Sequence, residues 1–142
     1  MQFFSFTTLT VLISLLISSS RGVTVSHDST YDLGSTSLNT VACSDGPNGL
    51  VTRGFTTFGA IPNFPFIGGS STVEGWNSNK CGLCYKLTYT KQKKSVYITV
   101  VDRTNDGFNI AESAFKELVG PASIGKADVE AQEVDKSFCG FK

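Results

Sequence analysis

The chain has 142 residues, with 12 Lys and Arg balanced by 12 Asp and Glu, and only one His, four Cys and one Trp. Zero formal charge gives nucleic acid no field to follow, and the length suits one domain rather than two. With His27 as the single histidine, no Ser-His-Asp pattern suggests itself.

Leu9 to Ile17 is nearly all apolar, and Ser18 to Gly22 then leads into a polar start at Val23. Such a run is too short to span a bilayer and has the form of the apolar region of a signal peptide. Ser20 and Gly22 provide small side chains at −3 and −1 of a cut after Gly22. The segment ahead of the run has no Lys or Arg and offers only its terminal amine. Residues 1–22 are expected to be a signal peptide and residues 23–142 the mature, secreted domain. The competing reading is a buried N-terminal strand. Loss of Arg21 with the leader leaves 11 basic against 12 acidic residues, and no second apolar segment would hold a membrane.

Val23-Thr24-Val25 and Thr40-Val41 are β-branched pieces separated by polar turns. Ser44-Asp45-Gly46-Pro47-Asn48-Gly49 gathers turn formers in one cluster. Thr57 to Gly69, with two prolines and three glycines, suits a fixed irregular loop with its phenylalanines turned inward. Tyr85 to Tyr89 alternates and Val96 to Val101 is β-branched, so the pair reads as a hairpin. Lys91, Lys93 and Lys94 fall in its connection and read as a solvated loop. One helix follows, with Asn109 as its N-cap and Glu112 at N3, Ile110, Ala114, Phe115, Leu118 and Val119 on its apolar side, and Gly120-Pro121 as its stop. Val129 to Val134 is the closing strand. Short strands with one helix predict a compact, mainly β barrel. There is no Asn-x-Ser/Thr glycosylation sequon.

Cys43, Cys81, Cys84 and Cys139 read as two disulfides in an oxidising compartment, with three pairings open. The Cys81-x-x-Cys84 spacing also fits a redox pair or half a zinc site. The first would want a βαβ context instead of turn-rich, strand-like surroundings. The second would want further ligands, yet no second Cys-x-x-Cys exists. Neither a metal nor a cofactor is expected.

Several blocks together resemble the cerato-platanin family. They are Cys43-Ser44-Asp45-Gly46 with Gly49-Leu50, Gly59 to Gly69, Trp76-Asn77-Ser78 running into Cys81-Gly82-Leu83-Cys84, Val101-Asp102, Gly107 to Ala111, and Ala114-Phe115. The likeness covers Val23 to Cys139 in order. Two positions depart from it: Tyr85 stands where members carry Trp, and His27 where they often carry Tyr. The resemblance implies a single-domain, six-stranded double-psi β-barrel like the N-terminal domain of expansins, with Cys43–Cys81 and Cys84–Cys139 as its bridges. It also implies a protein secreted by fungi and partly lodged in the cell wall. Such a protein binds chitin-type oligosaccharides, loosens wall polysaccharide without clear hydrolysis, and elicits plant defence.

Carboxylates and rings carry the site question. Asp102 ends an apolar strand before a turn-rich loop and suits hydrogen bonding to sugar hydroxyls. The structural alternative is that it caps the turn from Arg103 to Gly107 or pairs with Arg103. Asn109 is divided between sugar donor and helix cap, the cap being favoured. Asp45 and Tyr31 complete the expected carbohydrate-binding set with Asp102 and Asn109. Trp76, Tyr85 and Tyr31 could each stack on a pyranose, although a lone Trp reads first as core. Most of the eight phenylalanines beyond the leader should be core too.

Glycoside hydrolysis needs a pair of carboxyls about 5–5.5 Å or 6.5–9.5 Å apart. Asp28, Asp45, Asp106 and Asp135 are the available partners for Asp102, and each has a turn or terminal setting that explains it otherwise. The reading is therefore non-catalytic binding of chitin-type oligosaccharides and cell-wall polysaccharide. The alternatives are a polysaccharide-cleaving enzyme related to the expansin-like endoglucanases, and an effector that contacts a host receptor. No nucleic acid and no membrane is expected as partner, and the state is a monomer with a capacity for self-assembly at surfaces.

Overall fold

The computed structural model describes Leu12 and residues 19–142. Most of the expected signal peptide lies outside the described residues. The elements in chain order are β1 (Arg21–His27), β2 (Ile67–Ser70), β3 (Cys84–Tyr89), β4 (Lys94–Arg103), β5 (Phe108–Ile110), α1 (Glu112–Leu118) and β6 (Lys126–Val134). The strands close into a barrel in the order β1-β5-β2-β4-β3-β6. β1 with β5 and β2 with β4 run parallel, and the remaining neighbours are antiparallel. This is the mixed six-stranded barrel of the double-psi type. Among the described residues no helix is long and apolar enough to cross a membrane.

The expected hairpin forms. β3 and β4 pair from Cys84↔Thr99 to Tyr89↔Lys94, through a turn that Lys93 closes in the left-handed region at φ 52°. Lys91, Lys93 and Lys94 are all exposed there. Leu87 on β3 and Ile98 and Val100 on β4 are buried, with Val25, Ile67 and Ile110 from the other strands. β6 takes in the expected closing strand and starts three residues earlier, because Lys126 to Val129 pair with β1.

Three elements differ from expectation. Ile67–Ser70, read as the end of an irregular loop, is a fully buried strand between β4 and β5. Gly68 explains it, since a Cβ there would collide with the carbonyl of Asn109 and hold β5 away. The helix is shorter than drawn: Ile110 belongs to β5, and the N-cap residue is Ala111, which makes no side-chain cap. Its first amides are capped across the chain by Asp32, which accepts from Glu112 N at 2.8 Å and Ser113 N at 3.3 Å. Thr40-Val41 forms no strand, because Thr40 ends the one-turn 3-10 helix Leu38–Thr40.

The bridges are Cys43–Cys81 and Cys84–Cys139, and no cysteine is free. Phe58, Phe108 and Phe115 are buried, and Phe55, Phe64, Phe66 and Phe141 are partly so. Phe138 is the exception at 57% exposed, stacked on Tyr97 with ring centroids 5.2 Å apart. His27 lies against Phe115, and its Nε2 donates to the Ala122 carbonyl at 2.9 Å.

Candidate functional site

Strand register gathers the polar residues into one row. Asp102 on β4 is opposite Gly69 on β2, which is opposite Asn109 on β5. Asn109 is in turn opposite Ser26 on β1, and Ser26 opposite Lys126 on β6. Directly paired residues share a face of a sheet, so the row runs across the outside of the barrel. Asp102, Asn109 and Ser26 are half-buried and Lys126 is exposed. A shallow pocket of about 190 Å³ continues the row, lined by Thr24, Ser26, Thr104, Asn105, Asp106 and Lys126.

Asp102 is held from three sides. One carboxylate oxygen accepts from Ala42 N at 3.0 Å and from its neighbour Arg103 N at 2.8 Å, and the other accepts from the Tyr31 hydroxyl at 2.9 Å. It therefore ties the loop before Cys43 to β4, and its contact with Arg103 is to that residue's backbone N–H. A carboxylate has about four acceptor sites, so one remains for an outside donor.

Tyr31 is brought in by the 3-10 turn Ser29–Asp32, which Asp28 caps through Thr30 N. Its hydroxyl sits over Gly69, where a Cβ would lie 3.4 Å away. Burial first, then the charge and hydrogen bond of Asp102, push its phenol far above the ordinary range. Asn109 does not cap the helix. Its carbonyl oxygen accepts from Ser26 Oγ at 3.1 Å, so its side chain is tied to β1.

Other expectations change with the fold. Tyr31 and Tyr85 are only 6% and 7% exposed, so neither ring stacks on a sugar. Tyr85 packs edge-on to Phe108, and its hydroxyl reaches Thr72 Oγ1 at 3.2 Å. Trp76, read first as core, is 62% exposed. Asp45 is not in the row: it accepts from Trp76 Nε1 at 2.6 Å. Asp106 accepts from Thr24 Oγ1 at 2.6 Å, and Asp135 caps Ser137 N at 2.9 Å. Among the described residues no group of three or more His, Cys, Asp or Glu side chains is gathered to hold a metal.

Sequence reasoning missed Ser26, Gly69 and Lys126. Only cross-strand register places them beside Asp102 and Asn109. The one local signal was Gly68-Gly69, which reads equally well as a turn.

A family model described as Cerato-platanin matches residues 23–141. An Arthroderma benhamiae protein named Allergen Asp f 15 homolog is 45% identical over 136 residues, covering 94% of this chain and 66% of its own length. This chain thus spans just under two thirds of that relative. The Heat-stable 19 kDa antigen of Coccidioides immitis is 45% identical over 120 residues, covering 83% of this chain and 81% of its own. Among solved structures, cerato-platanin 1 from M. perniciosa superposes with a TM-score of 0.78 at 43% identity, over 82% of this chain and 98% of that one. The solution structure of the fungal elicitor Cerato-Platanin gives 0.76 at 39%, over 82% and 96%. A Clavibacter michiganensis expansin, solved in complex with cellohexaose, gives 0.58 at 19% over 82% and 51%, and so shares the fold.

Proposed function

The chain belongs to the cerato-platanin family, and from that premise we propose that it is a secreted, non-catalytic protein that binds cell-wall polysaccharide. The observation that carries the reading is the row Asp102–Gly69–Asn109–Ser26–Lys126, which presents a carboxylate, an amide, a hydroxyl and an ammonium along one shallow line. Such a line suits the equatorial hydroxyls of a linear β-linked glycan. The fold it sits on is shared with an expansin crystallised with cellohexaose. Chitin-type oligosaccharides are the proposed ligands, with Asp102 and Asn109 as the principal contacts. Tyr31 acts from beneath by fixing Asp102, and Asp45 contributes from beside the row. A shallow site buries little area and exchanges each hydroxyl contact for water, so affinity for short oligomers is low.

Non-catalytic action is supported by the state of Asp102. Three protein donors hold it in a structural role, and Asp106 is engaged by Thr24. Each carboxylate thus has a setting that accounts for it without catalysis. Elicitor activity, named for the solved relative, is proposed here as a second consequence of secretion. Cleavage after Gly22 would remove the first two residues of β1 and keep the pairs from Val23↔Val129 onward.

A sedimentation assay on chitin, cellulose and β-glucan, with analysis of the supernatant, tests the reading. The expected result is retention on polysaccharide with no soluble sugar released. Release of oligosaccharides would establish the endoglucanase-like alternative, and failure to sediment with any of the three would overturn the binding proposal. Mass analysis of the secreted protein should give Val23 as its first residue.

A further inference from the structure

The single tryptophan is the largest side chain left in solvent, and the structure holds it still. Trp76 is 62% exposed, so burial does not fix it. Three other devices do. Its indole N–H donates to Asp45 Oδ1 at 2.6 Å, a charge-assisted bond. Its ring lies on Gly46, where φ is +81° and a Cβ would come within 2.9 Å of the ring's ζ2 carbon. A side chain at position 46 would be strained in itself and would lift the indole away. The next residue, Asn77, adopts the left-handed region at φ 61°. It is clamped there by two bonds, Asn48 N to its side-chain oxygen at 2.9 Å and Asn48 Nδ2 to its carbonyl at 3.0 Å.

The two sides of this clamp are also joined covalently. Cys43 lies two residues before Asp45, Cys81 five after Trp76, and the two are bonded. Arg53 adds hydrogen bonds to the carbonyls of Asn48 and Cys81 at 2.8 and 3.0 Å. The segment carrying Asp45 begins at Ala42, whose N–H is held by Asp102. Three residues reach at most about 11 Å, so the clamp begins within that distance of the segment that Asp102 holds.

We propose that Trp76 is a preformed stacking platform for a pyranose ring, extending the polysaccharide-binding surface beyond the Asp102 row. The inference rests on the carbohydrate reading above and adds to it a residue and a contact type. A flat indole face bordered by a carboxylate matches a sugar's apolar C–H face rimmed by hydroxyls. Asp45 Oδ1 serves the indole, and its second oxygen remains as an acceptor at the platform's edge. Because the ring is fixed before the ligand arrives, stacking costs little additional side-chain entropy.

The test uses the tryptophan as its own reporter, since the chain has only one. The secreted protein is titrated with the β-1,4-linked hexamers of glucose and of N-acetylglucosamine, with emission and acrylamide quenching recorded. Trp76→Ala and Trp76→Phe are compared with the parent for retention on insoluble chitin and cellulose. The expected results are a changed emission, reduced quenching on saturation, and retention about five- to tenfold weaker in Trp76→Ala. Trp76→Phe, which keeps a ring but loses the N–H to Asp45, should fall between. Should Trp76→Ala fail to fold, the parent's emission and quenching decide. A parent that binds polysaccharide with silent emission and unchanged retention on losing Trp76 would overturn the platform and leave the Asp102 row standing. A parent that binds no polysaccharide would overturn both.

Discussion

Asp102 is a structural residue and the principal contact of the proposed binding row, and its removal should show both. It accepts two backbone amides and a buried phenol, so Asp102→Ala leaves Ala42 N and the Tyr31 hydroxyl without their partner. Bonds to a charged acceptor stabilise by about 1.5–3 kcal/mol each, discounted here because the carboxylate is half-exposed. The expected loss is about 2–3 kcal/mol by denaturant titration, together with weaker polysaccharide retention. An unchanged midpoint would mean that the three bonds carry no net stability. Tyr31 adds a pH signature. Its phenol is raised in the folded state above the unfolded value of 10.0. The stabilisation is complete below about pH 10 and is lost as pH rises beyond it, because only the unfolded chain then releases the proton. Stability measured at pH 8 to 11 should therefore fall less steeply in Tyr31→Phe than in the parent, and parallel profiles would count against the buried phenol.

At the scale of elements, the helix shows how a local rule is met by a distant residue. The motif Asn109-x-x-Glu112 has the form of a capping box, yet β2 and β1 take Asn109 as strand. Strand pairing satisfies its backbone on both sides, which outweighs one cap bond. Asp32, from the turn that also delivers Tyr31, supplies the missing acceptor. Asp32→Ala should thus cost about 1–2 kcal/mol and loosen Tyr31 along with the helix. Near-UV circular dichroism beside the denaturation curve measures both, and a loss of under about 0.5 kcal/mol would show the cap to be dispensable. The i,i+4 pair Glu112–Lys116 at 2.7 Å, with the acid on the N-terminal side, works in the same direction along α1.

For the whole molecule, one disulfide ties the C-terminal turn to β3 and the other joins two irregular segments beside the barrel. The closed loops span 38 and 55 residues, and chain entropy assigns each bridge about 4 kcal/mol. Set against a typical total of about 5–15 kcal/mol, their joint removal should abolish cooperative melting near physiological temperature. Full reduction followed by alkylation and calorimetry is the measurement. A reduced chain that still melts cooperatively within a few degrees of the oxidised one would show the barrel to be self-sufficient. Cys43–Cys81 also anchors the Trp76 clamp, so reducing it should raise acrylamide quenching of the tryptophan before the barrel is lost.

The amino-acid sequence alone determined what depends on neighbours in the chain and on recognisable blocks. The β3–β4 hairpin was legible from alternation and β-branching, the closing strand from Val129 to Val134, and the solvated lysines from their place between two strands. Family, barrel type and the two bridges were legible because the blocks from Cys43 to Phe115 stand in one order. Tertiary structure decided what depends on register. Gly68-Gly69 becomes a buried central strand only when β4 and β5 close on it from both sides. Asn109 becomes a strand residue instead of a cap, and Ser26 and Lys126 join it in one row, through pairings between residues more than 80 and about 100 positions apart. Tyr85 goes inside and Trp76 outside, against the order of their sizes, because a strand position alternates into the core while the Gly75-Trp76-Asn77 loop has no layer above it. Periodicity reports which face a strand residue takes; it is silent on which strands become neighbours, and the site is made of neighbours.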